Sequence, residues 1–183
     1  MKKIHFFISA GIYAVIAISL CGIGYGISRY VVADTQQSKT EDIVAEYTQE
    51  LPMEVTSLEN DKPDETLVDL TGLQTENPDV VGYVTIPDTA VSYPVMQSED
   101  GSYYLHHDFS GERSVYGCIY VDPSCYEGGQ ALLLHGHNMK NGSMFGGLKR
   151  YLNEDYRKAH ETIYYQTEDE IDTYHVCAIF TGM

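Results

Sequence analysis

Three observations predict a mainly β fold, a barrel with short helical insertions, preceded by N-terminal helices and one membrane-spanning helix. Short runs rich in Val, Ile and Tyr recur at close spacing from Val80 onward. The breaks between them are brief Pro-, Gly- and Asn-containing turns, not the long helical crossovers of alternating α/β chains. Ahead of them stand one uncharged run and an acidic, helix-forming stretch.

The uncharged run covers residues 6–27, 22 positions without a charge. At 1.5 Å per residue it crosses roughly 30 Å of hydrocarbon. Lys2 and Lys3 precede it and Arg29 follows, before the acidic stretch begins. The positive-inside rule therefore puts the N-terminus in the cytoplasm and all that follows Arg29 outside. A cleaved signal peptide is the competing reading, because Val31-Val32-Ala33 has the small residues a signal peptidase needs. The run exceeds a usual signal core, so a retained anchor over residues 1–29 is preferred.

Charge excludes one class of partner. The formal net charge is −16 and the pI about 4.6, so no basic stripe exists to neutralise nucleic-acid phosphates. Thirteen Asp/Glu and only Lys39 and Lys62 lie between Asp34 and Asp79. Residues 30–65 read as an acidic, solvated linker outside the cytoplasm. Within it residues 40–51 carry Ile43, Val44, Tyr47 and Leu51 at helical spacing, with Pro52 as a stop. Residues 51–64 read as the linker proper.

Residues 66–75, with Leu67, Leu70 and Leu73, predict a short amphipathic helix ended by Asn77-Pro78. Strands are expected at 80–86 and 91–96, with Pro94 implying an edge or a bulge, at 115–122, and at 130–134 leading into His135. A helical turn is expected at 102–106 and short helices at 144–152 and 154–160. Strands at 162–166 and 173–181 complete the pattern. The cysteines Cys21, Cys118, Cys125 and Cys177 form no C-x-x-C pair, so neither a zinc ribbon nor a disulfide framework is indicated. Whether Cys118 and Cys125 bridge stays open.

Chemistry concentrates at residues 132–148, LLLHGHNMKNGSMFGGL. An apolar strand ends in His135-Gly136-His137-Asn138, where a β-rich enzyme holds a general acid. His135 and His137, two apart, would share a face of an extended strand. A metal would need a third ligand, and His106-His107-Asp108 has no characteristic spacing to join them. No metal and no cofactor are expected.

Gly136 to Leu148, GHNMKNGSMFGGL, resembles the histidine motif of class B sortases, membrane-anchored cysteine transpeptidases that join surface proteins to the Gram-positive cell wall. Asn77 to Ile86 resembles the first barrel strand of that family, with Tyr83 where Trp is usual, and Thr89 to Met96 the second. Tyr103-Tyr104-Leu105, His107-Asp108-Phe109 and Gly117 to Asp122 continue in the same order. The match covers roughly residue 67 to the end. It implies a sortase-like barrel with 66–183 as the N-terminal part of a catalytic domain. It also implies binding of the sorting-signal peptide of secreted surface proteins, and transfer to an amine of a cell-wall precursor or a pilin.

Carried over, His137 takes the place of the catalytic histidine and His135 receives no catalytic role. Leu105 matches a groove position for the sorting peptide. Asn138 joins it as a substrate-side residue, either orienting the histidine or turning the chain. The family's nucleophile lies in a later Thr-Leu-x-Thr-Cys strand with an essential Arg on the next, and nothing after His137 reads that way. Cys177 reads as a small apolar strand residue, and Arg150 and Arg157 as surface charges. The resemblance thus implies an incomplete barrel and an inactive fragment, marginal in stability. The alternative is a non-catalytic, membrane-tethered peptide-binding module.

Overall fold

The computed structural model describes residues 2–49, 67–125 and 131–182. The expected linker at 51–64, the end of the expected helix at 51, and residues 66 and 130 lie outside the described residues. Contacts divide the chain into two compact units, Met1–Gln36 and Gln37–Met183.

Helix α1 runs unbroken over Lys2–Glu46. The sequence led us to expect an anchor and then a separate helix at 40–51. Neither Gly nor Pro occurs between Ile27 and Glu46, so nothing interrupts the i→i−4 ladder between them. In the first unit Val15, Ile18, Leu20, Ile23 and Ile27 all point outward. The helix is long and apolar enough to cross a membrane.

In the second unit α1 gives way at Tyr47 to strand β1 (Thr48–Gln49), which pairs antiparallel with β2 (Leu67–Val68). Helix α2 (Leu70–Glu76) follows, with the Asp69 carboxylate accepting from the Gly72 amide at 2.9 Å as its N-cap. The Tyr47 ring packs against Gly72, where an added Cβ would meet it at 2.4 Å. Val44, Leu70 and Leu73 thereby join Val80, Met96, Tyr104 and Phe109 in one core. Leu73 has no exposed surface. Leu73→Ala is expected to cost about 2–5 kcal/mol by transfer plus cavity, measurable by denaturant unfolding of the chain in detergent.

The main sheet contains β3 (Val80–Thr85), β4 (Ser92–Met96), β5 (Ile119–Val121), β6 (Leu134–His135), β7 (Thr162–Gln166) and β8 (Ile171–His175). Their order is β6-β5-β4-β3-β7-β8, a curled half-barrel in which β6 and β8 are the edges. All pairings are antiparallel except β4 with β5. Pro94 sits on a strand that is central in this order. Its pairing with β5 begins only at Val95, so at Pro94 that side is open and the missing N–H breaks no ladder. The bulge falls on β3 instead, between Val80 and Gly82.

Three strands are shorter than expected by more than one residue. The run at 115–122 becomes regular only at Ile119, because Gly117 takes a φ of +57°. Of the described part of the run at 130–134, residues 131–134, only Leu134 is strand, and the pairing continues into His135. The last strand closes at His175, not at 181, after Val176 donates to the Glu161 carbonyl at 2.8 Å. Between strands lie a 3-10 turn at Tyr103–Leu105, a 3-10 helix at Gly146–Leu152 and α3 (Glu154–Ala159).

The sheet's curl brings both edges onto one half-open cavity of about 640 Å³. It is lined by Leu132 and Cys125 on the β6 side and by Tyr165, Glu168 and Asp172 on the β7–β8 side. Leu132 and Leu133 are exposed just before edge strand β6, an apolar stretch beside a sheet edge of the kind that proteins ordinarily cover.

Candidate active site

His137 follows β6 directly after Gly136. Its Nε2 lies 2.7 Å from the Leu105 carbonyl oxygen. A carbonyl only accepts, so Nε2 carries the hydrogen and donates, which leaves Nδ1 as the nitrogen able to exchange a proton. The ring is half-buried and 6.1 Å from that of His106.

Two loops hold this contact. Leu105 closes the 3-10 turn whose centre, Tyr104, is 2 % exposed. The Tyr104 hydroxyl donates to Asp79 at 2.8 Å, while Asn77 Nδ2 donates to that hydroxyl at 3.0 Å and to the Phe109 carbonyl at 2.6 Å. Burial first, then the Asp79 carboxylate, pushes the phenol pKa up, so it stays a donor. On the far side the Cys118 amide donates to the Tyr104 carbonyl at 2.8 Å. Gly117 passes so close that a Cβ there would lie 2.5 Å from the Tyr104 oxygen and 2.7 Å from the Leu105 oxygen.

The second loop follows the histidine. The Phe145 amide donates to the His137 carbonyl at 3.0 Å, and Asn138 and Met144 form an isolated antiparallel bridge. Met144 sits at φ +51° with its amide donating to the Tyr93 hydroxyl at 3.1 Å. Asn138 is itself exposed. A second cavity of about 640 Å³ lies beside this loop, lined by Tyr93, Asn141 and Arg150 among others. His137, Leu105 and Asn138 are absent from its lining.

His135 diverges from His137 completely. Its Nε2 donates to Asp122 Oδ2 at 2.6 Å and its ring stacks on Tyr120 at 5.2 Å. His107 Nδ1 donates to the Tyr103 carbonyl at 2.7 Å, with its ring flat on the Tyr103 ring. Asp108 accepts from the Ser110 and Glu112 amides. His107, His135 and His137 are thus each committed to a different partner. Among the described residues no group of three or more His, Cys, Asp or Glu could hold a metal.

The Ser124 hydroxyl, then His135 and the Ser124 amide, hold the Asp122 carboxyl down at about 2. A depressed carboxyl contributes stability that is present above the ordinary range near ~4 and is lost as pH falls toward the folded value. Amide exchange at Leu134 and His135, measured relative to Val84 in the central strand, should therefore rise as pH drops from about 5 to about 2. A flat ratio would remove the pair as a support for β6.

All four cysteines are free thiols. Cys118 is 6 % exposed, and burial pushes its thiol pKa far up, so it is a protonated core residue. Cys125 Sγ accepts from the Leu133 amide at 3.2 Å. Cys177 is exposed beyond the end of β8, at the opposite edge of the sheet order from β6. Arg150 is exposed, as expected of a surface charge, and lies over the Tyr156 ring at 4.1 Å, while the half-buried Arg157 donates to the Tyr151 carbonyl at 3.0 Å. Sequence reasoning missed the Tyr104–Asp79 link and the His135–Asp122 pair. The first joins residues 25 apart and leaves no periodic signal.

No protein-family model matches the chain. Sortase B of Listeria monocytogenes serovar 1/2a is 38% identical over 136 residues, 72% of this chain and 52% of that protein. The crystal structure of sortase B from B. anthracis in complex with AAEK1 superposes with a TM-score of 0.62 at 32% identity, covering 78% of this chain and 67% of that one. A Staphylococcus aureus sortase B–substrate complex gives a TM-score of 0.54 at 26% identity, covering 57% and 49%. The chain spans about half the length of the Listeria relative. On the identity and coverage of the B. anthracis structure, and on the agreement of strand order with the sequence motifs, the chain belongs to the class B sortase family.

Proposed function

We propose that this chain carries the proton-donating half of a sortase-type cysteine transpeptidase. The observation behind the reading is the His137 ring, pinned through Nε2 to the Leu105 carbonyl at the exit of edge strand β6. In the reaction a thiolate attacks the carbonyl of the sorting signal, a threonine-type residue before glycine, and expels the amine. His137 acts as the imidazolium, giving that leaving amine the proton held on Nδ1 while its Nε2 hydrogen stays on the Leu105 carbonyl, and an arginine holds the oxyanion. The thioester then passes to an amine of the cell wall or a pilin.

Leu105 and Asn138 line the approach for the peptide in this reading. Residues 1–29 anchor the chain with its N-terminus in the cytoplasm, 30–65 form the acidic spacer, and 66–183 belong to the extracellular catalytic domain. That a relative has been solved as a substrate complex supports peptide recognition here.

The buried thiol of Cys118 and the remote position of Cys177 support a further part of the reading. This polypeptide by itself forms no acyl-enzyme. The test is to titrate a sorting-signal peptide with a Thr–Gly scissile bond into methyl- and histidine-labelled chain. Expected are shifts at Leu105 and His137 without cleavage. Adding a polypeptide with the Thr-Leu-x-Thr-Cys and Arg strands should then start turnover that His137→Ala abolishes. Binding with no turnover after that addition would favour the peptide-binding module, and cleavage by the chain alone would end the proposal.

A further inference from the structure

The residue two before the candidate acid has a partner of its own, and the geometry around it is unusually constrained. Strand β6 is two residues long, an edge, and pairs only at Tyr120↔His135 and Val121↔Leu134. One more backbone bond, from the Asp122 amide to the Leu133 carbonyl at 2.9 Å, completes its attachment. Such a short edge ladder is marginal by itself.

Side chains add the rest. Asp122 is oriented before His135 meets it, since its Oδ1 accepts from the Ser124 amide at 2.8 Å and from the Ser124 hydroxyl. That leaves Oδ2 aimed at His135 Nε2, 2.6 Å away. The Tyr120 ring, inclined 28° to the imidazole, fixes its plane. A charge-assisted bond with both partners pre-oriented is short and strong for its exposure. It also fixes register, because a one-residue slip would carry His135 to the other face of the sheet.

The link onward has no slack. Gly136 passes so tightly over β5 that a Cβ would sit 2.3 Å from Ile119 Cδ1 and 2.9 Å from the Phe145 ring. Only one residue separates His135 from His137, and the packing of Ile119 and Phe145 around it leaves little room for the chain there to shift.

We propose that the His135–Asp122 pair is a positioning clasp that sets where the His137 ring meets the Leu105 carbonyl. This rests on the reading of His137 as the proton donor and extends it to a residue that touches no substrate. The groups facing the clasp are the Tyr120 and Asp122 side chains of the β5 segment, with the Cys125 thiol at the Leu133 amide. Among the described residues the ring beside His137 is that of His106.

The test uses the full chain in detergent with ¹⁵N-labelled histidine. In the unsubstituted chain the His137 ring nitrogens should show one locked tautomer, hydrogen on Nε2. In His135→Ala and Asp122→Asn the two signals should move toward each other, as in a freely exchanging imidazole, and amide exchange at Leu134 and His135 should rise about tenfold. His135→Gln keeps a donor for Asp122 and should preserve the locked pattern, as should the exchanged pair His135→Asp with Asp122→His. Lys158→Ala breaks an exposed ion pair elsewhere, with Glu154 at 2.8 Å, and should change neither readout. An unchanged His137 signature in folded His135→Ala and Asp122→Asn would overturn the clasp. Absence of the locked tautomer in the unsubstituted chain would instead overturn the reading of His137 on which it rests.

Discussion

Gly117→Ala is expected to lower stability by roughly 2–4 kcal/mol, combining a left-handed backbone penalty with overpacking, and to detach His137 from its anchor. The φ of +57° already disfavours any side chain. The new methyl would also face two carbonyl oxygens at 2.5 and 2.7 Å, neither of which can rotate away as a side chain would. One of them is the Leu105 oxygen that accepts from His137. The 3-10 turn must therefore retreat, and the network beneath it resists, since Tyr104 is held by Asp79 and Asn77. Denaturant unfolding should show the loss, and the His137 ring nitrogens should lose the locked pattern. Wild-type stability in this variant would mean that the turn yields freely and does not position the ring.

Gly146→Ala should have a comparable effect from the other side. A Cβ there would lie 2.1 Å from the Met139 carbonyl oxygen, a backbone atom inside the loop that ties Phe145 to His137. Relief requires opening the loop at Met139 or shifting the 3-10 helix that begins at Gly146. The expected loss is about 1–3 kcal/mol by the usual scale of overpacking, with faster amide exchange at Phe145 as the local sign. By contrast Gly142→Ala has open space around it but a φ of +89°, so its cost should come from backbone strain alone and leave the Phe145 amide protected. Equal exchange at Phe145 in the two variants would contradict the role given to the Met139 contact.

Local pattern made some of this legible in the sequence and tertiary approach hid the rest. The strand at 162–166 emerges as expected because its β-branched and aromatic run needs no distant partner to be recognised. Likewise the strand containing Pro94 was visible, yet its central position was not. That position depends on β5 starting one residue late, which no local signal encodes. The run at 115–122 looked like a full strand because a glycine in a β-rich run does not announce a positive φ. The continuous α1 shows the opposite error, two helices read from two separate apolar patterns where the backbone runs unbroken.

At the site, the motif around Gly136 to Leu148 marked His137, and the structure adds what fixes it. The acceptor is a main-chain carbonyl 32 positions earlier, so the identity of residue 105 carries almost no trace of that duty. His135 appeared interchangeable with His137 by spacing alone. Only the end of β5 separates them, by offering a carboxylate to one and not to the other.

The intact mass of the full chain, after incubation with a sorting-signal peptide bearing a thiol-reactive group at the scissile position, tests most directly whether this polypeptide holds a donor without an attacking sulfur. The expected spectrum is that of the unmodified chain at peptide levels that already shift the Leu105 and His137 resonances. A covalent adduct mapped to Cys177, and lost in His137→Ala, would contradict the account.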